Sequence, residues 1–216
     1  MTTAIVLLSG GQDSATCLAI AKTEVKTIHC VSFNYGQRHS IELEFAKKLA
    51  DIAGATYQNV DVRFLKGLSN SSLVSSTPII TKAGELPSTF VPGRNALFLT
   101  IAGMIAYQKS ADMIYTGVCQ TDYSGYPDCR ESFISSQQET LNLAMEKEVI
   151  IKTPLMHLTK AETVLKMKAL GDMDWYSSTH TCYEGARPAC GKCPACQLRL
   201  KGFQMAGEQD PIAYQV

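Results

Sequence analysis

The N-terminal segment constrains the fold of this chain more than any other stretch. Residues 4–8 form an apolar run rich in strand formers, and the polar loop Ser9-Gly10-Gly11-Gln12-Asp13-Ser14 follows at once. An alanine-rich pattern typical of a helix comes next. The first amides of a helix lack intrahelical partners and carry partial positive charge, and glycines let the backbone approach a ligand closely. The order strand, glycine loop and helix therefore predicts an anion site, with Ser9 and Ser14 as additional hydroxyl donors.

Two common phosphate motifs do not describe this loop. The chain has no G-x-x-x-x-G-K-[ST] sequence, and Gly10-Gly11 does not fit G-x-G-x-x-G. The loop instead resembles the S-G-G-x-D-S loop of the ATP pyrophosphatases, a family with an ATP-binding α/β fold that transfers AMP to a substrate oxygen. The resemblance implies catalytic roles for Asp13 and Ser14, with Mg²⁺ near Asp13, and ATP contacts from Leu8, Ser9, Gly10, Gly11, Gln12, Asp13 and Ser14. A glycine turn in an ordinary strand–helix unit is the alternative.

Composition limits the partners of the chain. Its 216 residues suit one or at most two domains, and lysine plus arginine equals aspartate plus glutamate at 20 each. Since nucleic-acid binding usually shows as a basic excess, we expect no nucleic-acid partner. No apolar run approaches the roughly 18 residues of a membrane span, and Met1-Thr2-Thr3 lacks the basic region of a signal peptide. We therefore expect a cytoplasmic protein without a membrane partner.

Strand and helix patterns alternate after the first unit. Strands are predicted at 26–33, 56–62, 112–116 and 149–152, and helices at 39–53, 94–109, 131–147 and 160–171. This alternation predicts an α/β fold with an open, mostly parallel five-stranded sheet and helices on both faces. The resemblance implies the Rossmann-like arrangement of adenine nucleotide α-hydrolases. We expect an ATP-binding domain at 1–175 and a small cysteine-rich segment, packed on it, at 176–216.

Polar and aromatic residues follow several predicted strands, at the sheet edge where ligands of such folds bind. Phe33 and Tyr35 are candidates for the nucleoside part of ATP, and Lys160 at a strand-to-helix turn is a candidate catalytic residue that neutralises phosphate charge. The candidates for substrate binding are Arg94, Asn95, Asp122, Tyr126 and Asp128. Some have an alternative: Arg94 as a solvated first-turn residue, Lys160 as a solvated lysine, and the loop tyrosines as partly packed side chains.

Residues 66–92 interrupt the alternation, being rich in Ser, Thr, Gly and Pro and without periodicity. A long irregular segment in a compact domain is usually a mobile cover or a linker. A lid over the site and a plain surface excursion both remain open.

Four of the eight cysteines, Cys182, Cys190, Cys193 and Cys196, lie within fifteen residues. In a reducing compartment such a cluster indicates a metal more often than disulfides. Four thiolates suit one tetrahedral, structural Zn²⁺ because they leave no position for water. A [4Fe–4S] cluster is the alternative. We interpret Cys17 and Cys30, on a predicted helix and strand, as core cysteines.

Further motifs make the resemblance narrower. The S-G-G-Q-D-S loop, F-N-Y-G-Q-R-H, P-G-R-N, T-D-Y-S-G-Y-P-D-C-R and the C-x7-C-G-x-C-P-x-C ending are together similar to the QueC or ExsB family of queuosine biosynthesis enzymes. The resemblance implies ATP-dependent conversion of 7-carboxy-7-deazaguanine and ammonia to 7-cyano-7-deazaguanine through an adenylated intermediate. It also implies one zinc ion and a homodimer. Arg94 or Lys160 would pair with the substrate carboxylate, and Asp122 or Asp128 would accept from a guanine-like edge.

Two other functions remain open. An ATP-dependent tRNA thiolase would use Cys119 and Cys129, which share one loop, as a reactive pair. A non-catalytic nucleotide-binding module would use the cysteine segment as a partner surface and release no pyrophosphate.

Overall fold

A computed structural model describes residues 2–37, 41–75, 77–80, 85–121 and 125–215. Over this part of the chain the strands are β1 (Thr3–Leu7), β2 (Thr27–Asn34), β3 (Thr56–Asp61), β4 (Met113–Tyr115) and β5 (Ile150–Lys152). The α-helices are α1 (Gln12–Glu24), α2 (Ile41–Ala53), α3 (Arg94–Gln108), α4 (Glu131–Met145), α5 (Lys160–Leu170) and α6 (Pro194–Ala206). Short 3-10 helices cover Arg63–Gly67, Pro127–Cys129 and Met173–Ser178. None of the described helices combines the length and the apolar character needed to cross a bilayer.

The five strands form one sheet in the order β3-β2-β1-β4-β5, and every pair is parallel. Ile5 of β1 lies between His29 of β2 and Ile114 of β4. The chain first builds outward from β1 to β3 and then returns to the other side of β1 with β4. In open α/β sheets a ligand crevice forms beyond the strand ends where the order reverses in this way. The predicted sheet is confirmed, and the structure supplies the strand order.

Strand β1 is buried on both faces, which accounts for its unbroken apolar run. Ala4 and Val6 pack into a core shared with α1, α2, α5 and α6, whereas Ile5 packs into a second core with α3 and α4. Helices therefore cover both faces of the sheet, as the alternating pattern predicts.

Local end signals fix several helix boundaries. The Thr159 hydroxyl accepts from the Glu162 N–H, and the Glu162 carboxylate accepts from the Thr159 N–H at 2.7 Å, so a capping box opens α5. Gly54, directly after α2, has a φ of +68°, and Gly171 ends α5 with a φ of +83°. Residues 38–40, where we expected α2 to begin, lie outside the described residues, and the described helix starts at Ile41.

The irregular segment at 66–92 is attached to the body of the protein in its described parts. The Ser72 N–H donates to the Ser88 carbonyl at 2.8 Å, and their hydroxyls lie 3.0 Å apart. Val74 is buried in the core that contains α3. Residues 76 and 81–84 lie outside the described residues, so a lid function stays a prediction.

The C-terminal segment packs against the sheet domain through α6, a helix that the sequence pattern did not predict. Phe203 of α6 is buried in the same core as α1. Arg199, 1% exposed, donates from Nε and Nη2 to the two carboxylate oxygens of Asp210 at 2.8 and 2.9 Å. It also donates to the Thr179 hydroxyl at 2.7 Å. Removing one partner of such a buried pair costs about 3–5 kcal/mol, so this network stabilises the segment internally, while its boundary at residue 176 stays a prediction.

Candidate active site

The loop after β1 has the geometry of an anion site. Helix α1 begins at Gln12 with Gly11 as N-cap, and no described side chain caps its first turn. The Ser14 hydroxyl donates to the Gly11 carbonyl at 3.0 Å and accepts from the Ser9 N–H at 3.2 Å. The Gly11 N–H donates to the Ser9 hydroxyl at 3.3 Å. The loop is thus ordered by its own hydrogen bonds, and the uncapped first-turn amides are available to a phosphate group.

Gly10 allows this loop to lie in close contact with α2. Its φ is +85°, and a Cβ there would lie 2.3 Å from the Glu42 carbonyl oxygen and 2.9 Å from the Ala46 nitrogen. Both are backbone atoms of α2, so no side-chain rotation can relieve the overlap. From the other side, the Gly10 carbonyl accepts from the His180 N–H at 2.8 Å. The loop is therefore held between α2 and the segment that leads into the cysteine cluster.

Asp13 and Lys160 meet at the start of α1 although 147 positions separate them. Lys160 Nζ donates to Asp13 Oδ2 at 2.5 Å. The other oxygen, Asp13 Oδ1, is buried and has no hydrogen-bond partner among the described residues. A buried acceptor without a partner costs about 1–3 kcal/mol, and a hard cation such as Mg²⁺ takes carboxylate oxygens as ligands. Asp13 thus fits a Mg²⁺ ligand while it positions the lysine.

A cavity of about 350 Å³ lies beyond the carboxyl ends of β1, β2 and β4. Its volume is in the range of small-molecule sites. The predicted site residues that line it are Leu8, Ser9, Gly11, Gln12, Asp13, Ser14, Phe33, Tyr35, Arg94, Asn95, Tyr126 and Lys160. Gly10 and Asp128 do not line it, and Asp122 lies outside the described residues. The structure therefore brings most of the predicted residues to one place.

Aromatic side chains form one wall of this cavity. The rings of Phe33 and Phe98 stack with centroids 4.0 Å apart, and Tyr35 lies 5.8 Å from Phe98. The Arg94 guanidinium lies 5.6 Å from the centre of the Tyr35 ring, and its buried Nε has no hydrogen-bond partner among the described side chains. A flat wall beside an arginine suits a heterocycle that carries an anionic or carbonyl group.

Asp128 supports the start of α3. Its Oδ2 accepts from the Asn95 N–H at 3.2 Å, and its carbonyl accepts from the Asn95 side-chain amide at 3.1 Å. A carboxylate at a helix N-terminus is favourable, and here it helps to hold the helix start that carries Arg94. Nearby, the Tyr126 hydroxyl lies 2.5 Å from the Thr89 hydroxyl. Contact between Asp128 and a substrate stays a prediction.

Glu42 and Tyr183 line the same cavity and were not predicted. Glu42 is partly buried in the first turn of α2, where desolvation raises the pKa of its carboxyl to about 7 although the nearby Arg94 lowers it. Nothing in the local pattern distinguishes Glu42 from the exposed Glu44. Tyr183 directly follows Cys182, and the sequence pattern there indicates a metal site but gives no signal for a cavity residue.

The two loop cysteines line the cavity, and both thiols make local hydrogen bonds. Burial raises the pKa of the Cys129 thiol to about 11, and its Sγ accepts from the Asn95 side chain at 3.4 Å. The Cys119 thiol donates to the Leu158 carbonyl at 3.1 Å. Because the thiolate is the reactive form, a thiol with a raised pKa is a weak nucleophile at neutral pH. The raised pKa of Cys129 therefore argues against this thiol as the attacking sulfur of a thiolase.

The clustered cysteines converge on one point. The Sγ atoms of Cys182, Cys190, Cys193 and Cys196 all lie within 4.8 Å of one another. Four sulfurs on one tetrahedral ion at Zn–S of about 2.3 Å would lie about 3.8 Å apart. Backbone N–H groups also point at the sulfurs, as Cys193 donates to Cys190 Sγ at 3.3 Å. The cluster can hold one metal ion.

This cluster also shapes the cavity. Thr181 and Tyr183, on either side of Cys182, both line the cavity, and α6 begins directly after Cys193. A metal that fixes Cys182 therefore also fixes two residues of the cavity wall.

The chain matches the family model described as queuosine biosynthesis protein QueC over residues 3–207. It is 50% identical over 213 residues to the 7-cyano-7-deazaguanine synthase of Bacillus subtilis (strain 168), covering 95% of this chain and 97% of that protein. It is 49% identical over 204 residues to the protein of the same name from Staphylococcus haemolyticus (strain JCSC1435), covering 93% and 92% of the two chains.

Solved structures of more distant proteins share the fold. A 4-thiouridine synthetase in complex with RNA and ATP superposes with a TM-score of 0.55 at 19% identity, covering 95% of this chain and 50% of that one. The NMN synthetase of Francisella tularensis gives 0.51 at 14% identity, covering 96% and 78%. At these identities the similarity concerns the fold alone.

The cysteine cluster predicts a metal content that one substitution should abolish. The wild-type protein should carry about one metal ion per chain, and Cys193→Ser should carry much less because a hydroxyl is a poor replacement for a thiolate ligand. Metal analysis by inductively coupled plasma mass spectrometry measures both. Cys30→Ala, which removes a buried cysteine of β2 outside the cluster, is the control and should keep its metal. Retention of a full ion by Cys193→Ser would contradict the assignment.

Proposed function

The chain belongs to the QueC family of queuosine biosynthesis proteins, and from this membership we propose how its site performs the family reaction. It is an ATP-dependent ligase that converts 7-carboxy-7-deazaguanine and ammonia to 7-cyano-7-deazaguanine, the product that its curated relatives are named for. The observation that carries the proposal is the single cavity in which an uncapped helix start, the Asp13–Lys160 pair and an aromatic wall with Arg94 meet. These groups are complementary to a polyphosphate, to flat heterocyclic rings and to a substrate carboxylate.

The chemistry explains why ATP is needed. A carboxylate on an electron-rich ring is a poor electrophile, so ammonia cannot displace oxide from it. In the proposed first step a substrate carboxylate oxygen attacks the α-phosphorus of ATP and pyrophosphate leaves, which gives an acyl adenylate. Ammonia then adds to the acyl carbon and AMP leaves, so that an amide forms. A second ATP adenylates the amide oxygen, and loss of AMP and protons leaves the nitrile.

The residues around the loop stabilise the departing pyrophosphate in this scheme. The first-turn amides of α1 donate to phosphate oxygens, and the Ser9 and Ser14 hydroxyls order the loop that presents them. The Lys160 ammonium neutralises charge that develops as the bond breaks. Asp13 keeps Lys160 in place and offers Oδ1 to Mg²⁺. When bound, Mg²⁺ supplies further neutralisation of phosphate charge.

The remaining predicted residues orient the two substrates. We assign the nucleoside of ATP to Phe33 and Tyr35, and the deazaguanine to Arg94, Asn95 and Tyr126, with Asp122 and Asp128 as further candidates. Arg94 pairs with the substrate carboxylate until that oxygen attacks. Positioning of this kind turns the adenylation into an effectively unimolecular step.

The metal of the cysteine cluster is zinc in this proposal. In a four-iron cluster each cysteine binds a different iron, which would hold the sulfurs farther apart than a single ion does. Four thiolates leave no open position, so the ion is structural and holds Thr181 and Tyr183 at the cavity.

We also propose that the protein is a cytoplasmic homodimer that does not act on nucleic acid. The exposed apolar side chains Met104 and Tyr107 of α3 and Leu143 of α4 are the surface that we assign to the dimer contact. Sedimentation velocity distinguishes a dimer from a monomer, and a monomer at assay concentration would remove this part of the proposal.

The reaction is tested by incubating the metal-loaded protein with ATP, Mg²⁺, ammonium and 7-carboxy-7-deazaguanine. Mass spectrometry should detect 7-cyano-7-deazaguanine. If each oxygen leaves on AMP, about two AMP and about two pyrophosphate are released for each nitrile formed. AMP release without nitrile would indicate another acceptor. No AMP at all would favour a non-catalytic nucleotide-binding module.

Lys160 should matter in the same assay because it touches Asp13 at the phosphate site. Lys160→Ala should lower kcat roughly 10²- to 10³-fold, as expected for loss of a group that stabilises transition-state charge. Lys166→Ala, on the exposed side of the same helix, is the control and should stay within about twofold of wild type. Equal activity of the two variants would exclude Lys160 from catalysis.

A further inference from the structure

The backbone of Glu42 is fixed relative to the phosphate loop. Its carbonyl oxygen occupies the space that a Cβ of Gly10 would fill, so α2 and the loop pack backbone against backbone at this point. The side chain leaves the same residue and lines the cavity. A functional group placed on a rigid helix beside the loop is held more accurately than one on a flexible loop.

The surroundings of this carboxyl group are unusual for a structural glutamate. The groups that interact with it electrostatically are Arg94 of α3 and the two tyrosines Tyr35 and Tyr183, with Tyr126 beside them. Of the side chains that the structure describes, none forms an ion pair with it, and the burial that raises its pKa to about 7 shows that the charged form is poorly solvated. A carboxylate that lines a cavity without a described partner is available to a ligand.

ATP and 7-carboxy-7-deazaguanine differ in the hydrogen-bond donors that they offer to a carboxylate. The phosphates of ATP repel it, and the edge of adenine offers one amino donor next to a ring nitrogen that accepts. The six-membered ring of 7-carboxy-7-deazaguanine instead presents two adjacent donors, the ring N–H and the exocyclic amino group. Two carboxylate oxygens can accept from both at once, which is how carboxylates recognise amino edges of bases.

We propose that the Glu42 carboxylate binds this donor edge and thereby selects the guanine-like ring, while Arg94 pairs with the carboxylate of the same substrate. This inference rests on the proposed function and deepens it. It gives Glu42 the role that the sequence assigned to Asp122 or Asp128. Asp128 uses an oxygen to support α3 and does not line the cavity, whereas Glu42 does.

The test compares two substrates in three proteins. The substrates are 7-carboxy-7-deazaguanine and its analogue without the exocyclic amino group, and the proteins are wild type, Glu42→Gln and Glu44→Gln. Glu44 lies on the same helix, is exposed and pairs with Arg187 at 2.9 Å on the surface. The kcat/KM for each substrate and the KM for ATP are measured by nitrile release, with AMP release as a second readout.

Wild type and Glu44→Gln should prefer the natural substrate by roughly 10- to 100-fold, the contribution of one hydrogen bond to a charged group. Glu42→Gln should lose a similar factor in kcat/KM for that substrate, and its preference should shrink to about threefold or less because its amide presents a donor to the ring N–H. Its KM for ATP should not change. An undiminished preference in Glu42→Gln, or an effect on the KM for ATP alone, would overturn the inference. If wild type itself forms no nitrile, the proposed function fails instead.

Product binding gives a readout that does not depend on turnover. The nitrile product keeps the donor edge, and only the ionised form of Glu42 can accept from both donors. Because the pKa of Glu42 is about 7, the affinity of the wild-type protein for the nitrile product, measured by calorimetry, should fall by about tenfold between pH 8 and pH 6. Glu42→Gln should bind weakly at both values. The same tenfold pH dependence in Glu42→Gln would assign the titration to another group and contradict the proposal.

Discussion

The close contact between Gly10 and the backbone of α2 sets the geometry of the whole site. Only a residue without a side chain lets the loop after β1 lie against the Glu42 carbonyl, and the hydrogen bond from the His180 N–H closes the other side. Gly117 after β4 repeats the arrangement, since a Cβ there would lie 3.1 Å from the Asp13 carbonyl carbon. The loops after β1 and β4 and the first turns of α2 are therefore packed closely around the start of α1. This packing positions the first-turn amides of α1, Asp13 and Glu42.

Much of the fold could be predicted because its signals are local. The apolar run of β1, the capping box at Thr159 and the glycine at position 54 each determine structure within a few residues. The order of the strands depends on contacts between distant segments, which periodicity does not encode. Helix α6 was missed for a different reason: Pro194 is a good first helical residue, but the surrounding cysteines and Gly191 indicated a metal-binding turn.

The site residues also differ in whether local sequence or distant contacts determine their role. The phosphate loop and the cysteine cluster are each contained in a short stretch whose residue types determine their chemistry. Lys160 was a candidate because it opens a helix after a strand, yet only the sheet order brings it to Asp13. Glu42 carries no local signal, because its environment is made by Arg94, Tyr35 and Tyr183 from other parts of the chain. Asp128 had the residue type of a ligand, but its carboxylate accepts from the start of α3.

The central claim is that this site activates a carboxylate by transfer of AMP, and the fate of the carboxylate oxygens tests it most directly. With both oxygens of 7-carboxy-7-deazaguanine labelled with oxygen-18, each adenylation should leave one labelled oxygen on the phosphate of AMP. Mass spectrometry should then find the label in AMP and none in pyrophosphate. Label in inorganic phosphate or pyrophosphate, with unlabelled AMP, would show that a different phosphorus is attacked and would contradict the account.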